Sequence, residues 1–184
     1  QYFRNNYNKG MKEIPLVNSL AQILRVEVWV TNRTGATTDT RDVVALMDLG
    51  EGQPYGPWGG LGNVPPRNDA NTLYSTILAS PAARSSSAVT SILSGAGLQP
   101  VQDFEKTFAR KLLPSDYYFN PQIGFISLNQ QLQPDEVLGI AFQYTYNGKV
   151  YQVGEFSTDV PPDSTATTQP VLFLKLLKAT SQRT

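Results

Sequence analysis

The chain has 184 residues, balances 15 Lys and Arg against 15 Asp and Glu, and contains neither histidine nor cysteine. That composition excludes disulfides, thiolate metal sites and any Ser-His-Asp or Cys-His catalytic arrangement. The even charge leaves no electrostatic footprint for nucleic acid or anionic lipid. The length fits one domain, and no apolar run approaches the ~20 residues that a membrane helix needs. With no starting methionine and no apolar signal core in QYFRNNYNK, the chain reads as a domain excised from something longer.

Residues 1–19 read as a polar arm with a short ordered piece at 14–17. Residues 24–31, LRVEVWVT, alternate, with Leu24, Val26, Val28 and Val30 on one face and Arg25, Glu27, Trp29 and Thr31 on the other. This is the pattern of a half-buried strand, and Trp29 reads as cross-strand packing. A turn-rich loop leads to a second strand over 42–49, expected antiparallel to the first. Residues 50–66, GEGQPYGPWGGLGNVPP, are too rich in Gly and Pro for helix or central strand. A loop of that length is usually functional or disordered. It carries Tyr55, Trp58 and Leu61 on a backbone whose polar groups must reach water or a partner. These side chains either cover the domain's own core or form a contact patch for a protein or a sugar.

Residues 68–112 read as a helical insertion in three pieces. The first, 68–79, begins with capping residues and spaces Leu73, Tyr74, Ile77 and Leu78 for a helix. The second, 83–94, is weaker and rich in serine. The third, 101–112, sets Phe104, Phe108 and Leu112 at i, i+4 and i+8. A β core is expected over 117–178. Within it, Ile126 and Leu128 alternate against Phe125 and Ser127, and 137–156 reads as a long hairpin closed by Asn147-Gly148. Asn-Gly accepts positive φ at both positions of a type I′ turn. That turn pairs Tyr146 with Lys149, Tyr144 with Tyr151, Phe142 with Val153 and Ile140 with Glu155. Leu138, Ile140, Phe142, Tyr144 and Tyr146 share one face, and small and apolar residues opposite imply packing there too. Residues 171–178, VLFLKLLK, read as a buried central strand. The fold class is β-rich α+β: an antiparallel sheet or β-sandwich around the hairpin, with a helical insertion in the middle third. A small barrel is the alternative.

Acidic residues offer the only candidate chemistry. Asp39, Asp42, Asp48 and Glu51 lack the spacing of a calcium loop and read as solvated charge. Asp135, Glu136, Glu155 and Asp159 would have to supply the paired acids of glycoside hydrolysis, one with a raised pKa and both at a fixed separation. Asp135 and Glu136 sit at a turn, which assigns them to turn chemistry. GPWGGLG neither follows a strand into a helix nor ends in GK[ST], so it is not a phosphate loop. No enzyme, metal or cofactor is expected.

Three blocks resemble one family. They are ILRVEVWVTNRTGATTDTRDVVALMDLGE at 23–51, FNPQIGFISLNQQLQPDEVLGIAFQYTYNGKVYQVGEFSTD at 119–159, and LFLKLLKAT at 172–180. Together they are similar to segments of the SprA/Sov proteins, the giant outer-membrane translocons of type IX secretion and gliding motility in Bacteroidota. The stretch PDEVLGIAFQYTYNGKVYQVGEF is the most specific of them, whereas 52–97 matches nothing in the family. The resemblance implies a non-catalytic structural or interaction domain in the cell envelope, on the periplasmic or extracellular side of the outer membrane, that does not itself span it. Its implied partners are the rest of the translocon, other type IX components and exported cargo, with no nucleic acid. Asp163-Ser164-Thr165 matches the short O-glycosylation acceptor of the same phylum. The alternative function is a carbohydrate-binding β-sandwich module of a secreted or surface protein.

Overall fold

The structure is a computed structural model that describes residues 21–49, 51, 65–163 and 169–181. In chain order the elements are β1 (Ala21–Thr31), β2 (Thr40–Leu46), α1 (Leu73–Leu78), a 3-10 turn (Pro81–Arg84), α2 (Val89–Gly95) and β3 (Phe104–Lys111). A second 3-10 turn (Pro114–Asp116) leads to β4 (Tyr117–Asn120), β5 (Phe125–Leu128), β6 (Leu138–Tyr146), β7 (Lys149–Val153) and β8 (Leu172–Lys178). Among the described residues strand accounts for 40% and helix for 14%, so the β-rich expectation holds.

The sheet closes. Its hydrogen-bonded order, β1-β3-β2-β8-β6, returns to β1 through a β1–β6 pairing, giving a five-stranded barrel rather than a sandwich. Nine-residue β6 makes this possible. One edge of β6 takes β1 along its length; the other takes β8 over Leu138–Ile140 and β7 over Phe142–Tyr146. Closure leaves few strand edges exposed.

Both faces of the barrel strands are covered, which explains their doubly apolar patterns. Inside, Trp29, Val43, Ala45, Ala109, Ala141, Leu172, Leu174 and Leu176 pack together. The bulky side chains fit because the layer also contains alanines and Gly139, where a Cβ would come within 3.2 Å of Leu174. Outside, α1 and α2 cover β2, β3 and β8 with Leu73, Ile77, Val89 and Leu93 on Val44, Leu46, Phe104 and Phe173. The β4–β5 hairpin covers β1 and β6, setting Tyr117, Phe119, Ile126 and Leu128 over Val28, Val30, Ile140, Phe142 and Tyr144.

Several expectations need correction. The segment 101–112 is not a helix: it contains β3, which bonds β2 along its length and the end of β1. Spacing of four satisfies a strand of period two as well as a helix of period 3.6, so Phe104, Phe108 and Leu112 could not separate the two. The first two strands are not paired with each other, because β3 lies between them. One barrel pair, β2–β8, is parallel. The hairpin register holds from Tyr146–Lys149 to Phe142–Val153. It fails at Ile140, which pairs instead with Lys175. Gly154 turns the chain away at φ +79°, and any Cβ there would stand 2.9 Å from the Ala141 Cα. Leu24 is not in the core. A register shift between Ile23 and Arg25 ejects it to 51% exposure, while Glu27 and Trp29 on the supposed polar face are buried.

Candidate functional site

The residues expected to make contacts, Tyr55, Trp58 and Leu61, lie outside the described residues. The anchors of their segment are well defined. At its base the Arg67 N–H donates to the Glu51 carbonyl at 3.2 Å. The Glu51 carboxylate accepts the Leu49 N–H at 2.6 Å and pairs with Lys175 of β8, which also donates to the Met47 carbonyl. Burial pushes the Glu51 pKa up, against the opposing pull of Lys175. On the far side, Tyr144 Oη donates to the Pro66 carbonyl at 2.7 Å. Asn68 brackets Gly154, accepting its N–H at 2.8 Å through Oδ1 and donating to its carbonyl at 3.1 Å through Nδ2. The described ends of the segment, Glu51 and Pro66, therefore stand against β8 and β6.

Between these anchors runs a groove of about 290 Å³ with Glu51, Pro66 and Lys175 at its rim. Its walls are Ile140, Phe142 and Val153 of the β6–β7 hairpin, Phe119 and Ile126 of the β4–β5 hairpin, and Leu177 of β8. The lining is apolar with one ion pair at the rim. Among the described residues its titratable lining groups are Glu51 and Lys175, which pair with each other. The groove can take up aliphatic or aromatic side chains.

The remaining acidic candidates hold the fold together. Asp135 pairs with Arg33, and Glu136 Oε2 accepts the Gln133 N–H at 2.7 Å. Asp159 Oδ2 accepts the Phe156 N–H at 2.9 Å and Gln152 Nε2 at 2.7 Å. Glu155, only 1% exposed, accepts both Arg84 Nη atoms and Tyr74 Oη at 2.6 Å and the Phe173 N–H at 2.9 Å. Burial pushes the Tyr74 pKa up and Glu155 pushes it further. For Arg84 burial acts downward, but the Glu155 hydrogen bonds and charge outweigh it and the pKa rises. One carboxylate thus ties α1, the first 3-10 turn and β8 together, a link nothing in the local sequence pattern announced. Asp39 and Asp42 stand at one end of β2, Asp48 and Glu51 beyond the other, with Asp39 on Lys111 at 3.6 Å. Among the described residues no group of three or more acids converges as a metal ligand set. Ser164 lies outside the described residues, and Trp29 is 2% exposed inside the barrel.

No known protein family matches the chain, and no curated protein does.

Proposed function

We propose that this chain is a non-catalytic interaction domain of a giant outer-membrane export translocon of the SprA/Sov type. One observation carries the reading. The three blocks that resemble that family are scattered in sequence but adjoin in space: they supply β1, β2, β6 and β8, four of the five barrel strands, together with β5 and β7. A resemblance that follows the load of the fold is what divergence within a scaffold leaves behind. The helices over the barrel lie in the part that resembles nothing. Absence of histidine and cysteine, and the structural employment of the buried Glu155, support a domain that binds rather than reacts. The carbohydrate-binding alternative loses one of its two platforms, since Trp29 is enclosed.

An antiserum raised against the domain tests the proposal on outer-membrane fractions of the source organism. A single polypeptide many times larger than this 20.2 kDa chain is expected; a small secreted protein would sink it. The contact role of Tyr55, Trp58 and Leu61 is tested by fluorescence. In a Trp29→Phe background the emission belongs to Trp58, and red-shifted, acrylamide-quenchable light is expected of a contact patch. Blue-shifted, unquenchable light would reject it.

A further inference from the structure

The turn that closes the β6–β7 hairpin carries a reactive group that nothing restrains. Asn147 and Gly148 stand exposed at φ +50° and +74°. Every other described asparagine has its carboxamide engaged. Asn32 binds the Ala36 N–H and carbonyl, and Asn68 binds both backbone groups of Gly154. Asn71 accepts the Leu73 N–H, Asn120 accepts the N–H groups of Gln122 and Ile123, and Asn129 donates to the Ser115 carbonyl. The Asn147 carboxamide has no such bond to any described residue.

The residue that follows also sets Asn147 apart. The others precede Arg33, Asp69, Thr72, Pro121 and Gln130. Four of these put a side chain beside the backbone nitrogen, and proline has no N–H to give up. Gly148 has neither obstacle, and nothing lies within 4 Å of where its Cβ would stand. A free carboxamide therefore sits next to an unhindered backbone nitrogen.

We infer that Asn147 is a modification site, at which the chain deamidates through a succinimide without an enzyme. The Gly148 nitrogen gives its proton to solvent and bonds to the Asn147 Cγ, while the bond from Cγ to Nδ2 breaks and ammonia leaves. Water then opens the ring. Breaking the new bond to Cγ leaves an ordinary aspartate in the main chain. Breaking the bond to the backbone carbonyl carbon leaves isoaspartate, which routes the main chain through the side chain and lengthens it by one carbon. The two products differ in effect. Asp-Gly suits a type I′ turn as well as Asn-Gly does, whereas the extra carbon spoils the pairing of Tyr146 with Lys149. Tyr146 pairs with Ala21 on its other edge, so the start of β1 loosens with it. This inference is independent of the function proposed above.

The test ages the purified full chain in mildly alkaline buffer at body temperature, with peptide mapping at intervals. Exchange of NH2 for OH should appear at Asn147 at least about tenfold faster than at Asn129, a barrier difference of about 1.4 kcal/mol. The rate should rise with pH, because the attacking nitrogen must lose its proton. An isoaspartyl methyltransferase with labelled S-adenosylmethionine marks the isoaspartate fraction, which should melt below fresh protein. Asn147→Asp should melt with fresh protein. Asn147→Gly keeps a turn of the same type and should lose no melting temperature on ageing. The inference falls if Asn147 stays intact while Asn129 converts, or if conversion at Asn147 requires urea. It falls equally if the isoaspartate fraction melts with fresh protein.

Discussion

Two glycines of the same hairpin differ in why they are needed. Gly148 sits at φ +74° with open space where a Cβ would go, so a side chain there meets backbone strain alone. Gly154, at φ +79°, adds a collision with Ala141 and the Ile140 carbonyl at 2.9 Å. Gly148→Ala should cost about 1–2 kcal/mol, whereas Gly154→Ala should cost about 3–5 kcal/mol from strain and overpacking together. Equal urea midpoints for the two would refute the steric argument. The first glycine was legible in the sequence because Asn-Gly is a local signal. The second was not, because its reason is a strand that approaches from elsewhere. Glu51 gives a pH prediction at the same scale. Its folded pKa lies above the ordinary 4.5, so its neutral form is the one folding favours. That contribution is present below the unfolded value and lost as pH rises through the folded one. Glu51→Gln should therefore gain on wild type in melting temperature as pH rises above the ordinary carboxylate value. A loss over that range would show that Lys175, not burial, dominates.

Among the elements, the β6–β7 hairpin was readable almost in full, since period-two alternation and an Asn-Gly turn agree. Phe142 is buried beneath the β4–β5 hairpin, and Phe142→Ala should cost about 3–5 kcal/mol in denaturant unfolding. A value under about 1 kcal/mol, as for surface sites, would contradict that packing. β3 was misread because its aromatic spacing serves either periodicity, and partners on both edges chose strand. Leu24 was misplaced because a bulge is set by the partner strand. The short helix α1 and the 3-10 turn after it depend on a tie that no periodicity reveals. Arg84→Met should cost about 3–5 kcal/mol by stranding the Glu155 carboxylate. Arg84→Met combined with Glu155→Gln should cost clearly less than the sum of the two single changes, as coupled partners do. Strict additivity in chemical denaturation would mean the link is not what holds the helix and the turn.

For the whole molecule, the β-rich class was legible and the closed topology was not. Alternation tells which residues face a core, but not that both faces have one, nor which strand fills the gap between β1 and β2. The groove was hidden for the same reason: Ile140, Phe142 and Val153 were expected to be buried, whereas their position beside Glu51, Pro66 and Lys175 follows from β8 lying next to β6.

The β2–β8 pairing also bears on how the molecule is made. Val43 and Leu172 are partners 129 positions apart (172 − 43), and the strand that seals the barrel is the last one among the described residues. Contacts of such separation form late and slowly. Until residue 178 is free, the edge of β2 and the first half of β6 have nothing to bond and invite pairing with other chains. A chain ended at residue 170 should therefore lack a cooperative melt and should self-associate; a monomeric, cooperatively melting product would show that sealing is dispensable. The whole stretch from β1 through β8 must therefore emerge before this domain can become itself.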